Sequence, residues 1–294
     1  GEVHRSMIFT RLVPAAVLVL VGVPLLGPGW PDPAVNRAAR TLVLERATAA
    51  DDALAALETA LSPGLDAGRR GAALVVSGTE APGAELERAG AEIAAAEEAA
   101  DRARRAVEAL EGARLALGEG EAVELDLASG EVGSVAAQLE SAAPAANAFA
   151  RMRTLAESLV ARLERVLAAL EDGALADARS GLAAVRADHD ALAAWEVGLV
   201  TLPVWLDTTD AMIGALESIL AATESGDNDA ARAAAEDFAR AVEDAAPADR
   251  ALRIAIGEGG SAVTAAPLAR LADLLRDVST ARLAVASIVQ TVGR

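Results

Sequence analysis

From residue 43 the apolar positions of this chain recur in alternating steps of four and three: Val43, Ala47, Ala50, Leu54, Leu57 and Leu61. That rhythm is the signature of a helix whose apolar seam faces a partner helix. Pro33 suits the start of this helix, and "SPG" at Ser62 to Gly64 predicts its end. The stretch after it, "RRGAALVVSGTEAPG", reads as a helix end or a short strand, with a loop from Ser77 to Gly83.

The clearest period follows. Leu86, Ile93, Ala100 and Val107 stand seven apart, and Ala89, Ala96, Ala103, Leu110 and Leu117 form a second row beside them. Leu86, Ala89, Ile93, Ala96, Ala100, Ala103 and Val107 are therefore a candidate helix–helix seam, whose small residues let two axes approach closely. Glutamate and arginine fill the flanks, where they stay solvated. "GEGEAVELDLASGEVG", residues 118–133, interrupts the period with glycines and one alternating "VELDL", and is the expected loop, connection or hinge.

From Ala145 the helical pattern resumes, with Ala156, Val160, Leu163, Leu167 and Leu170 on one seam. A break at Gly173 precedes Leu175, Ala178, Leu182 and Val185. Residues 159–185 align without gaps on 212–238, pairing Leu163 with Leu216, Leu167 with Leu220, Gly173 with Gly226 and Arg179 with Arg232. Such internal similarity predicts a duplicated helical hairpin. Each glycine is the expected helix stop, and Asp227 the cap of the following helix. Leu274, Val278, Ala281, Val285, Ile288 and Val292 mark a final helix from about Pro267.

The first 31 residues have a different character. Leu12 to Leu26 is an unbroken apolar run of about fifteen residues, between the length of a signal-peptide core and that of a membrane span. Arg5 and Arg11 precede it and Asp32 follows, which orients the remainder of the chain outside the cytoplasm. Trp30 suits a membrane interface, and "GPGWPDPAVNRAA" lacks a clean small-x-small cleavage site. The expectation is a signal peptide or N-terminal anchor, more in keeping with retention than removal, with membrane contact through residues 7–30. The organisation read from the sequence is thus 1–31, a helical segment 32–117, the connection 118–133, and a helical bundle 134–294.

Composition sharpens this in two ways. Alanine is roughly a quarter of the chain, against the ordinary mixture of globular domains, while tyrosine and cysteine are absent and aromatics make up 2%. Alanine is the best helix former, so the composition agrees with the period. The 44 acidic residues against 26 basic ones, all arginine, leave a formal charge of −18, which disfavours nucleic acid as a partner. Without cysteine there is neither a disulfide framework nor a thiolate metal site.

Little of the remainder carries chemistry. No P-loop, HExxH or GxSxG pattern occurs. Gly257-x-Gly259-x-x-Ala262, with Asp277 further on, matches the dinucleotide fingerprint in form, but no strand–helix alternation surrounds it; the expectation is a glycine-rich connection leading to the Pro267 helix. His189 follows the Leu182 and Val185 seam and is a candidate pH-responsive group beside Glu196. "WEVGLVTLPVWLDTTDAM" is the most apolar interior stretch. Pro203 should kink or end a helix there, Asp207 and Asp210 resemble a capping box, and Trp195, Leu199, Trp205 and Met212 are the candidate lining of an apolar ligand or partner groove. No catalytic, cofactor or metal residues are expected.

The sequence therefore predicts an all-α fold, an elongated antiparallel bundle or array of helical hairpins behind an N-terminal signal or anchor helix. The expected role is non-enzymatic: an envelope scaffold, spacer or interaction module with a protein partner or self-association. The alternative is an extracytoplasmic domain binding a small ligand.

Overall fold

A computed structural model of the chain describes residues 33–77, 81–115, 117, 122–195 and 198–293. The apolar segment 7–30 lies outside the described residues. Among those that are described the fold is all-α, without strands: α1 (Pro33–Ser77), α2 (Pro82–Ala95), α3 (Glu97–Leu115), α4 (Glu131–Glu171), α5 (Leu175–Ala193), α6 (Thr201–Ser225) and α7 (Asn228–Val292). No helix of the described residues is long and apolar enough to cross a membrane.

The heptad seams form two cores. In the first, α1 packs against α2, α3 and the C-terminal half of α7, and α4 begins alongside α2. Val43, Ala47, Ala50, Leu54, Leu57 and Leu61 are all fully buried there. Each large aliphatic side chain removed from water contributes about 1.5–3 kcal/mol, whereas each alanine contributes little by itself and instead allows close helix approach. α2 and α3 are two parts of one rod, separated only by Ala96. The second core is an up-and-down set of four: the C-terminal half of α4, then α5, α6 and the N-terminal half of α7. Its hairpins turn at Gly173 (φ 73°) and Gly226 (φ 74°), where the left-handed backbone favours glycine. Asp227 caps α7 by accepting from the Ala230 N–H at 2.9 Å.

The division between cores falls inside helices. The first core reaches Ala146 on α4 and resumes at Leu271 on α7; the second starts at Met152 and ends at Ile256. Half-buried Phe149 touches both. Segment 122–130 stays with the first core: α4 starts at Glu131, and the irregular residues 122–128 pack there ahead of it. Val123 and Leu127 point inward, while Glu124 and Asp126 point out. The Val123 N–H donates to Glu111 Oε1 at 2.9 Å.

Several sequence-based boundaries are corrected. α1 does not stop at Ser62–Gly64 but runs through Pro63 to Ser77. Gly64, Gly68 and Gly71 are notches rather than punctuation: a Cβ there would lie 2.5 Å from Ile93, 2.5 Å from Leu268 and 2.9 Å from Leu86 respectively. Packing on both sides of Pro63 outweighs the backbone bond it removes. Helix α4 starts at Glu131, ahead of Ala145, and contains Pro144. The glycine-rich segment before Pro267 is no connection, because α7 is continuous for 65 residues through Pro247, Gly257 and Pro267. Gly259 and Gly260 receive the Phe149 ring and Val75. Pro203 neither kinks nor ends a helix; it lies in the first turn of α6, where a missing N–H costs nothing.

Arginines clamp neighbouring helices along the outside. Arg282 on α7 spans Asp51 (3.0 Å) and Glu58 (2.7 Å) on α1. Arg270 joins Glu131 at the start of α4, and Arg162 meets Asp188 across α4 and α5 at 3.2 Å.

Candidate functional site

The connection between α5 and α6 reverses the chain, so the polar residues on either side of it meet. The last turns of α5, Trp195 and Leu199 of the connection, and the first turns of α6 flank an open cleft of about 520 Å³. Arg186, His189, Asp190 and Ala193 line it from α5; Leu202, Pro203, Leu206, Asp207 and Asp210 line it from α6.

Of the four expected groove residues, the structure brings two together. Trp195 and Leu199 are half-buried and line the cleft. Trp205 is 2% exposed and faces the second core, where its indole N–H donates to Asp249 Oδ1 at 3.4 Å. Met212 is half-buried against the same core, and lies outside the cleft lining. The helical period explains the split: residues 202, 205, 209, 213 and 216 form the buried stripe of α6, leaving 203, 207 and 210 on its outer side. Asp207 and Asp210 both sit within α6 and form no capping box.

His189 is a tie between helices. Its Nε2 lies 3.1 Å from the Leu206 carbonyl oxygen. A carbonyl only accepts, so Nε2 is the donor, and the other ring nitrogen is Nδ1. That nitrogen is buried, has no hydrogen-bond partner, and stands 3.7 Å from Asp190 Oδ1. Glu196, its expected companion, lies outside the described residues. Asp188 is turned toward Arg162, so the Asp188–His189–Asp190 triplet does not converge.

The cation at the rim is already committed. Arg186 donates to Asp210 and, at 3.1 Å, to Glu217. Burial lowers its pKa, and the bonds to the two carboxylates outweigh that and hold it above the ordinary arginine value. A second guanidinium, Arg151, lies 5.6 Å from the centroid of the Trp195 ring, within cation–π range. Among the described residues no group of three or more His, Asp and Glu side chains is placed to hold a metal ion.

The expected helix–helix seam is intramolecular. Leu86, Ala89, Ile93, Ala96, Ala100, Ala103 and Val107 are buried in the first core of a single chain. Sequence reasoning did not bring Arg186, Asp190, Asp207 and Asp210 to one cleft. The available signal was their position on either side of a short apolar connection, which forces both flanks to face one space.

No protein-family model, curated protein or solved structure matches the chain.

Proposed function

We propose that this protein is an exported or membrane-tethered helical module of the cell envelope, working without catalysis as a scaffold, spacer or interaction platform. The observation that carries this reading is α7. One helix of 65 residues, about 97 Å at 1.5 Å per residue, runs through both cores. Its C-terminal turns lie beside Val43 near the start of α1, and its N-terminal turn lies at the far end with Gly173 and Gly226. A tether through residues 7–30 would therefore hold the two hairpin turns far from its own attachment. Because the alanine seams are consumed within the chain, an external partner meets the charged outer faces.

N-terminal sequencing of the mature protein with membrane fractionation tests the tether. A fusion of residues 7–40 to a reporter active only outside the cytoplasm should be active. A silent reporter with the chain in the cytosolic fraction would overturn the reading. A second reading, an extracytoplasmic ligand-binding or sensory input module, is favoured by the cleft beside Trp195.

A further inference from the structure

We propose that the first turns of α1 dock on an anionic phospholipid surface. This rests on the tether reading and names the surface that the tethered end meets.

Helix α1 is longer than the core that covers it. It runs antiparallel to α7: Arg282 reaches Asp51 and Glu58, and Val43 lies beside Ile288 and Val292 in the last turns of α7. Residues 33–42 therefore have no opposing turn of α7 and project about 15 Å past it at 1.5 Å per residue. Val35 is 57% and Leu42 37% exposed, whereas the seam from Val43 to Leu61 is fully buried.

This overhang is amphipathic. With 3.6 residues per turn, Val35, Ala38, Ala39 and Leu42 fall within an arc of about 100°, while Asn36, Arg37, Arg40 and Thr41 occupy the remaining circumference. A second copy covers such a face poorly. These side chains, two of them alanine, bury far less than the roughly 800 Å² per partner of a stable interface.

Charge and chain length point to a bilayer instead. The chain carries 44 acidic residues against 26 basic ones, yet residues 33–44 hold Arg37 and Arg40 and no carboxylate, with Asp32 and Glu45 on either side. Both arginines are exposed, and neither joins an ion pair among the described residues, unlike Arg270 and Arg282 further along the rod. Leu26, the last residue of the apolar run, precedes Pro33 by a stretch of chain that spans at most about 25 Å when extended. A bilayer holding residues 7–30 is thus within reach of the overhang. Its acyl boundary takes Val35 and Leu42, and its phosphates take the guanidinium groups of Arg37 and Arg40. The acidic body is repelled by the same surface, so the contact ends near Glu45.

The chain has no cysteine, so one introduced cysteine reports one position. A fluorophore on Thr41→Cys, or on Asn228→Cys at the far hairpin turn, is read on the full chain in vesicles doped with headgroup spin-labelled lipid as quencher. The vesicles are phosphatidylcholine, with or without phosphatidylglycerol. The docked-to-undocked ratio at Thr41→Cys should be about thirtyfold higher on the anionic vesicles, from about fivefold per arginine, and this excess should fade in high salt. Asn228→Cys should escape quenching on both. Arg37→Gln with Arg40→Gln should remove the excess, and Val35→Ser with Leu42→Ser should lower quenching on both lipids. All four side chains are exposed, and an unchanged melting temperature verifies the fold of each variant. Equal quenching on the two lipids, or an excess that survives the arginine pair, would overturn the proposal. Quenching indifferent to the Val35 and Leu42 pair would overturn the docking face. Energy transfer between labels on Thr41→Cys that persists at low chain-to-lipid ratio would assign the face to a second copy and also overturn it. In each case flotation of the chain with both kinds of vesicle leaves the tether reading standing, whereas failure to float with either overturns the tether and the proposal together.

Discussion

Of two alanine substitutions three residues apart in the same helix, one should stabilise the protein and the other should not. Gly257 and Gly260 both lie inside α7. Replacing glycine with alanine in a helix interior gains about 0.8–1 kcal/mol from backbone entropy, and that gain is common to both sites. A Cβ at Gly257 meets nothing within 4 Å, so Gly257→Ala should stabilise by about that amount. At Gly260 the Cβ would stand 2.1 Å from Val75 Cγ1 and 3.7 Å from Phe149 Cβ, against a carbon–carbon optimum of about 3.5–4.0 Å. Val75 is fully buried and β-branched, with one dominant rotamer in a helix, so it cannot turn away cheaply. Overpacking of this kind costs about 1–3 kcal/mol. Gly260→Ala should therefore be neutral to destabilising by about 2 kcal/mol, and the gap between the two variants is the steric cost alone. Urea unfolding at unchanged m-value measures it. Adding Val75→Ala to Gly260→Ala should produce a favourable coupling of about 1 kcal/mol or more, because the new methyl enters the vacated space. Equal stabilisation by both single substitutions would refute the reasoning and place Val75 elsewhere.

Three further outcomes follow from the packing. Trp205→Ala should cost about 3–5 kcal/mol in denaturant unfolding, because Trp205 is 2% exposed, whereas Trp195→Ala should cost under about 1 kcal/mol; similar losses would contradict their placement. Ala103→Asp should melt the first core of a single chain, seen as lost helical circular dichroism at every protein concentration, since Ala103 is fully buried against its own fold. A folded variant that merely fails to self-associate would show the seam to be intermolecular. Arg282→Gln removes the clamp on Asp51 and Glu58; these groups are part-exposed, so the loss should be about 0.5–1 kcal/mol and should shrink in high salt.

Much of the architecture is a property of the sequence alone. The period at Val43 to Leu61 and at Leu86 to Val107 determined which faces are buried, because a helix repeats its apolar stripe whatever it packs against. The turn at Gly226 was equally legible, since a left-handed residue followed by an Asp cap is a local matter. Helix ends that depend on distant partners were not. "SPG" and "GEGGSAVTAAP" contain the residues that end isolated helices, yet both lie within α1 and α7, because Ile93, Leu268, Phe149 and Val75 fill the notches that glycine leaves. Tertiary packing there outweighs local propensity. The cleft shows the same limit: the sequence placed Trp195 and Leu199 in one apolar stretch with Trp205, but only the fold sent Trp205 into the core and drew Asp190, Asp207 and His189 to the other side. A helix period specifies which residues share a face, and only the tertiary structure decides which faces meet.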